Sequence, residues 1–225
     1  MLQKEDVENI ENKIFHKKDT DLMEITTFFN KDNFYIDKDF ETKEECINFL
    51  SNEAIKKGLM DETSKKSVFE REEISSTSIG DLTAIPHPIA TDTKKSFISI
   101  LVLNKPIMWG DFLVQVVFLL NIEKSKANLW EPMFLKLYNY IKEKNGINSL
   151  LKNKSYDMFL KEFISFVVAR IATLLLEMFI MWFFVTLLKL DSDLYVVIFT
   201  LVAQVAVIIG NYIFSKLFVF KKTDK

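Results

Sequence analysis

The sequence predicts an α/β layered domain followed by a two-helix transmembrane hairpin, and three observations lead there. Strand-like and amphipathic-helical runs alternate along the front of the chain, which argues for layers of sheet and helix. From Phe163 to Lys225, 43 of 63 residues are apolar, about 68%, against about 41% in the 162 residues before them. Charge divides as unevenly, with 6 Lys/Arg and 4 Asp/Glu in the tail against 23 and 27 in the front. Such a step in composition marks two segments built for different surroundings.

Residues 1–22 read as a linker or remnant. They are charged and lack the apolar run of a signal peptide, which assigns the front domain, residues 23–162, to the reducing cytosol. Leu22, Ile25, Phe28 and Phe29 form a short apolar patch, and Asn33 to Asp39 reads as a turn and short strand. Thr42 with Glu45 three positions later is a capping box, Ile47, Leu50, Ala54 and Ile55 recur at helical spacing, and Gly58 stands at C′. A second helix is predicted from Thr63 to Ser75 with Val68 and Phe69 inward. Ser96 to Leu103 and Val114 to Leu120 are β-rich, separated by the turn-like Asn104-Lys105-Pro106 and Gly110-Asp111. Helices from Glu131 to Lys144 and Ser155 to Phe163 complete the domain.

The tail has two apolar runs. Phe163 to Leu188 is 26 residues with only Arg170 and Glu177 charged, and Leu194 to Phe220 is 27 with only Lys216 charged. At 1.5 Å per residue each exceeds a bilayer core of about 30 Å. Lysines 152, 154 and 161 precede the first span and lysines 221, 222 and 225 follow the second, whereas the connecting loop offers Lys189 against Asp191 and Asp193. The positive-inside rule therefore places both termini in the cytoplasm. Gln204, Asn211, Ser215 and Lys216 give the second span a polar stripe suited to bonding across a helix interface, and it opens a homo-oligomer through these helices. Arg170 and Glu177 are the ionisable residues of the first span; Arg170 can snorkel, and Glu177 lies deeper.

Composition excludes much chemistry. The lone Cys46 rules out a disulfide framework or a Cys-rich zinc site and is expected to pack inside its helix. His16, among lysines, reads as surface. None of the five glycines forms a nucleotide-binding loop, and the acidic front has no polybasic footprint for nucleic acid. No metal or cofactor is implied.

What remains is His87, in Ala84-Ile85-Pro86-His87-Pro88-Ile89, stiffened by a proline on either side. A neutral imidazole is a competent phosphoryl nucleophile, and phosphoryl transfer asks mainly for positioning and charge neutralisation. Arg71, in Glu70-Arg71-Glu72-Glu73, supplies a bidentate cation. By default such a histidine is a turn residue and such an arginine a solvated one.

The stretch Phe69-Glu70-Arg71-Glu72-Glu73-Ile74-Ser75-Ser76-Thr77-Ser78-Ile79-Gly80, continuing through Ala84-Ile85-Pro86-His87-Pro88, resembles the mannitol/fructose-type EIIA domain of the bacterial sugar phosphotransferase system. With Lys105-Pro106-Ile107-Met108-Trp109-Gly110 it is most similar to the EIIA domain that closes BglG-type regulators. The resemblance implies a central mixed sheet flanked by helices. It implies that His87 accepts a phosphoryl group from phospho-HPr on Nε2 and passes it to an EIIB cysteine or holds it as a regulatory mark. Arg71 would then hold the phosphoryl oxygens, and Asp81 would be a supporting acid. Transport-type members carry a second histidine where this chain has Trp130, in Asn128-Leu129-Trp130-Glu131.

Arg170 to Glu177 and Gln204 to Phe220 resemble the second half of GtrA-like membrane proteins, which implies an alternative role in translocating polyprenol-linked sugar. A fusion of two gene fragments is the further alternative.

Overall fold

A computed structural model of the chain describes residues 24–89, 95–142, 146–188 and 193–214. It divides into two compact units, Met1–Asp157 and Met158–Lys225.

The first unit is built on a five-stranded mixed sheet. Strand β1 (Phe29–Lys38) leads to helices α1 (Lys43–Lys56) and α2 (Glu62–Ile74), then to the short strands β2 (Ser78–Gly80) and β3 (Thr83–Ala84). Long strands β4 (Phe97–Trp109) and β5 (Phe112–Asn121) follow. The strand order is β1-β4-β5-β3-β2. The β1/β4 and β5/β3 pairs are parallel, and the β4/β5 and β3/β2 pairs antiparallel. A 3-10 segment (Lys124–Leu129), α3 (Trp130–Lys142) and α4 (Gly146–Asn153) come next.

Helix α1 starts where the sequence predicts. Thr42 Oγ1 accepts from the Glu45 N–H at 3.2 Å while Glu45 Oε2 accepts from the Thr42 N–H at 3.2 Å, so two orphan donors are satisfied reciprocally. Its end falls at Gly58, with φ +67°. One face of α1 buries Cys46, Ile47, Leu50 and Ala54 in a cluster with Val68 of α2 and Leu101, Leu103, Trp109, Val117 and Leu119 of the sheet. The neighbouring residues Ile98, Ile100, Val102, Val116, Phe118 and Leu120 are buried as well, so both sheet faces are covered. Burial on both faces is why these strands read as continuous apolar runs rather than alternating ones.

The observed elements differ from the expected ones in four places. Asn104-Lys105-Pro106 does not break the strand. Val102 pairs with Val116 but Ile107 with Val114, so β4 bulges outward over these exposed residues. The Gln115 carboxamide caps the Leu103 and Asn104 carbonyls at 3.1 and 3.2 Å, and Pro106 at the bulge forfeits no ladder bond. Strand β1 is ten residues long rather than a short strand. Helix α5 (Tyr156–Met181) runs on through Phe163, because no glycine or proline interrupts it. Helix α4 is additional to the expected set.

The second unit contains most of α5, a π-helical turn (Trp182–Leu187) and α6 (Asp193–Phe214). Among the described residues Tyr156–Val185 is long and apolar enough to cross a membrane, and Val197–Gly210 is a shorter apolar stretch. The two helices meet through Phe184 stacked on Phe199 at 4.3 Å, and a Cβ at Gly210 would lie 3.3 Å from Thr173. Small residues therefore let them approach.

Two glycines with similar backbone angles separate conformational from steric cost. A Cβ at Gly58 would meet nothing within 4 Å, whereas at Gly110 (φ +62°) it would fall 2.7 Å from Ser76 Oγ and 2.9 Å from Ser76 Cβ. Gly58→Ala is expected to cost about 1 kcal/mol, and Gly110→Ala about 1–3 kcal/mol more. Thermal unfolding of the two variants, followed side by side, checks the order.

Candidate functional site: a histidine between two prolines

The backbone around His87 is fixed group by group. β3 lies parallel to β5 and ends at Ala84, and the chain continues along the same strand. The Ile85 N–H donates to the Thr77 carbonyl at 3.0 Å, and the Pro86 carbonyl accepts from the Leu120 N–H at 3.0 Å. Beyond the histidine, the Ile89 N–H donates to Ser67 Oγ of α2 at 3.0 Å. Pro86 and Pro88 have no N–H to satisfy. The ring thus hangs from a segment clamped to strand, loop and helix, and it is half-buried while Ile85, Pro86 and Pro88 are buried.

The ring has one defined partner. His87 Nδ1 lies 2.8 Å from the Ile85 carbonyl oxygen. A carbonyl only accepts, so Nδ1 carries the proton and Nε2 of the neutral ring carries the lone pair. Burial holds the imidazole below its ordinary value of 6.5, the Ile85 bond pushes it up, Arg71 pushes it down and Glu72 up. The neutral form is therefore the resting form at pH 7.

Arg71 and His87 line one cavity of about 330 Å³, together with Ile74, Pro88, Ile89, Ile122 and Trp130. Arg71 is in the last turn of α2, where its Nη1 donates to the Ser75 carbonyl at 2.8 Å. Trp130, at the start of α3, packs on the imidazole with ring centroids 4.9 Å apart and planes at 53°. Phe134 and Tyr138 continue a half-exposed aromatic row along the same helix. An unprotonated ring nitrogen, one guanidinium and apolar walls make a pocket chemically suited to a small anion.

The structure does not bring every expected residue together. Asp81 sits in the tight β2–β3 turn with φ +48°, and its carboxylate pairs with Lys142 Nζ at 2.6 Å. It does not line the cavity, and the acceptor on His87 is the Ile85 carbonyl. Gln204 is exposed on α6, because the contact between the helices is made by small and aromatic side chains instead. The Arg170 guanidinium lies 5.2 Å over the Phe166 ring, and Glu177 is half-buried. Lys216, Ser215, His16 and the Asn211 side chain lie outside the described residues. Cys46 is buried, its thiol pushed up to about 12 by burial and by Glu45, as suits a packing residue.

Sequence reasoning missed Glu72. The signal was present: Ser64, Val68 and Glu72 recur every fourth residue on the buried stripe of α2, which places a carboxylate where an apolar residue is expected.

Known proteins match both parts of the chain. The family model for the phosphoenolpyruvate-dependent sugar phosphotransferase system, EIIA 2, matches residues 27–165, and that for the GtrA/DPMS transmembrane domain matches residues 151–220. The chain belongs to the EIIA type-2 family. It is 38% identical over 130 residues to the "Probable licABCH operon regulator" of Bacillus subtilis, covering 57% of this chain and 20% of that protein. To "Multiphosphoryl transfer protein 1" of Escherichia coli it is 32% identical over 123 residues, 53% of this chain and 15% of that protein. It therefore spans a fifth or less of the length of these relatives. The crystal structure of IIA mannitol from Escherichia coli superposes with a TM-score of 0.52 at 20% identity, over 60% of this chain and 98% of that one. The complex of enzyme IIAMTL with phosphorylated enzyme IIBMTL from the same organism gives 0.53 at 17%, over 60% and 96%. The fold is that of the mannitol-type EIIA structures.

NMR titration of the full chain is expected to give His87 a pKa below 6.5. Arg71→Gln raises it, since a cation is removed, without restoring an exposed imidazole's value, since burial is the larger cause. An unsubstituted His87 that titrates above 6.5 contradicts the site as described.

Proposed function

We propose that the front domain is a phosphoryl carrier that accepts its group from phospho-HPr on Nε2 of His87. The carrying observation is the Nδ1 bond to the Ile85 carbonyl, which leaves Nε2 as the nucleophile beside Arg71. In the step, the Nε2 lone pair attacks phosphorus while the donor's P–N bond breaks, and that bonding pair returns to the donor's ring. The positive charge arising on the His87 ring is shared with Nδ1–H, whose bond to Ile85 strengthens. Arg71 takes the equatorial oxygens. Asp81, tied to Lys142, acts at most on the turn that precedes β3.

The acceptor is an EIIB cysteine, or the phosphohistidine is itself the signal. Kinship with a regulator supports the second use, as does Trp130 in place of a second histidine. The tail, residues 163–225, would tether the domain by two spans, 163–188 and 194–220, with both termini in the cytoplasm. The match to the GtrA/DPMS transmembrane domain supports this placement in a bilayer, and it favours a second reading in which the chain is a component for moving polyprenol-linked sugar.

Incubation with enzyme I, HPr and labelled phosphoenolpyruvate is expected to label the protein and not His87→Ala. Arg71→Gln is expected to slow labelling about 100-fold. No label on the unsubstituted chain, or equal label on His87→Ala, rejects the proposal. Unchanged surface glycans after deletion of residues beyond Lys161 count against the second reading.

Topology has its own test, since Cys46 is buried and the loop between the spans has no thiol. A cysteine replacing Asp191 is expected to react with an impermeant maleimide in intact cells, and one replacing Lys222 only after permeabilisation. The reverse pattern inverts the hairpin.

A further inference from the structure

Glu72 is a buried carboxylate for which the phosphoryl step has no use. It is 4% exposed and stands next to Arg71 on α2. Its oxygens accept from the Thr77 N–H at 3.1 and 3.3 Å and from the Thr77 hydroxyl. Trp109 Nε1–H donates to it at 2.8 Å, and the Lys43 ammonium lies 3.5 Å away. So many donors overcome the cost of burying the charge and leave the carboxylate one geometry.

The bonds continue beyond Thr77. Its carbonyl accepts the Ile85 N–H at 3.0 Å, and the Ile85 carbonyl accepts His87 Nδ1–H at 2.8 Å. On its other side the same loop is braced by the β4–β5 turn, where Ser76 lies against Gly110 and Ser76 Oγ reaches the Trp109 carbonyl at 3.5 Å. A displacement of Thr77 therefore moves Ile85, and with it the oxygen that holds the proton on Nδ1.

We propose that Glu72 is a positioning residue that fixes the His87 tautomer through Thr77 and Ile85. The inference rests on reading His87 as the phosphoacceptor. A free imidazole favours the proton on Nε2, the very nitrogen that must attack. Without the Ile85 acceptor in place the ring would drift to that tautomer and lose its nucleophile, while Arg71 and the cavity stayed intact. Peptide groups aligned between a buried anion and a ring also polarise one another, which strengthens each link.

The test uses the full chain in detergent micelles with ring-labelled histidine; the two histidines are told apart with His16→Gln. Nitrogen shifts of unphosphorylated His87 are expected to report Nδ1–H in the parent. In Glu72→Gln they move toward Nε2–H, and phosphoryl acceptance from phospho-HPr falls on the order of tenfold per folded molecule. Thr77→Val, which removes one donor and keeps the backbone link, gives a smaller shift in the same direction and decides the matter if Glu72→Gln does not fold. Trp109→Phe removes a Glu72 donor off this path; it lowers stability and keeps the parent tautomer. Parent-like shifts in both Glu72→Gln and Thr77→Val overturn the proposal, as does an equal shift in Trp109→Phe. Because the shifts are read without phosphate, a protein that takes no label but changes tautomer refutes the carrier reading and not this one.

Discussion

A single hydrogen bond, His87 Nδ1 to the Ile85 carbonyl, organises everything else around the site. It can form only because the intervening Pro86 holds its φ near −65° and the flanking backbone groups are already committed to β5, the Thr77 loop and α2. The bond leaves the second ring nitrogen without a proton, and burial disfavours the charged ring that protonation there would create. Arg71 adds to both ends of the reaction. Its field opposes protonation of the resting ring, and the same field favours the dianion that follows.

The sheet explains why such a segment is rigid. β3 contributes only two paired residues, too few to hold anything alone, but it is sandwiched between β5 and β2 in a sheet whose long strands are buried on both faces. The chain leaves β3 and remains in register with β5 up to Leu120, so the core's order extends to within one residue of the reacting ring. Pocket walls come from four places, α2, the 85–89 segment, Ile122 just beyond β5, and α3.

Much of this was readable from residues. Thr42, Glu45 and Gly58 marked α1 to the residue, and the prolines about His87 together with the Arg71 helix led to the pocket. The fold followed from the family resemblance, which the EIIA type-2 match over residues 27–165 bears out. Other features depend on contacts that no local pattern encodes. The β4 bulge is held by Gln115 on the neighbouring strand, which caps the Leu103 and Asn104 carbonyls that the bulge leaves open. Asp81 looked like an acid for the site, but a turn with positive φ swings it toward Lys142. Glu72 was hidden among three other charges in Glu70-Arg71-Glu72-Glu73, where only helical phase separates the buried carboxylate from the solvated ones.

Trp130 carries the sharpest consequence of the pocket's composition. It occupies the place that the resemblance assigns to a second histidine, and it offers the ring an apolar face at 4.9 Å. Arg71 is then the one cation among the residues lining the cavity. Under the phosphohistidine reading a fully ionised phosphoryl group carries about −2, the ring left by attack at Nε2 with Nδ1–H kept carries one positive charge, and Arg71 carries another, so one guanidinium balances the pocket. That balance depends on the Nδ1 proton held by the Ile85 carbonyl, since a ring that lost it would leave the pocket net negative. Trp130 can therefore present an apolar face instead of a second cation without leaving the phosphoryl group short of charge.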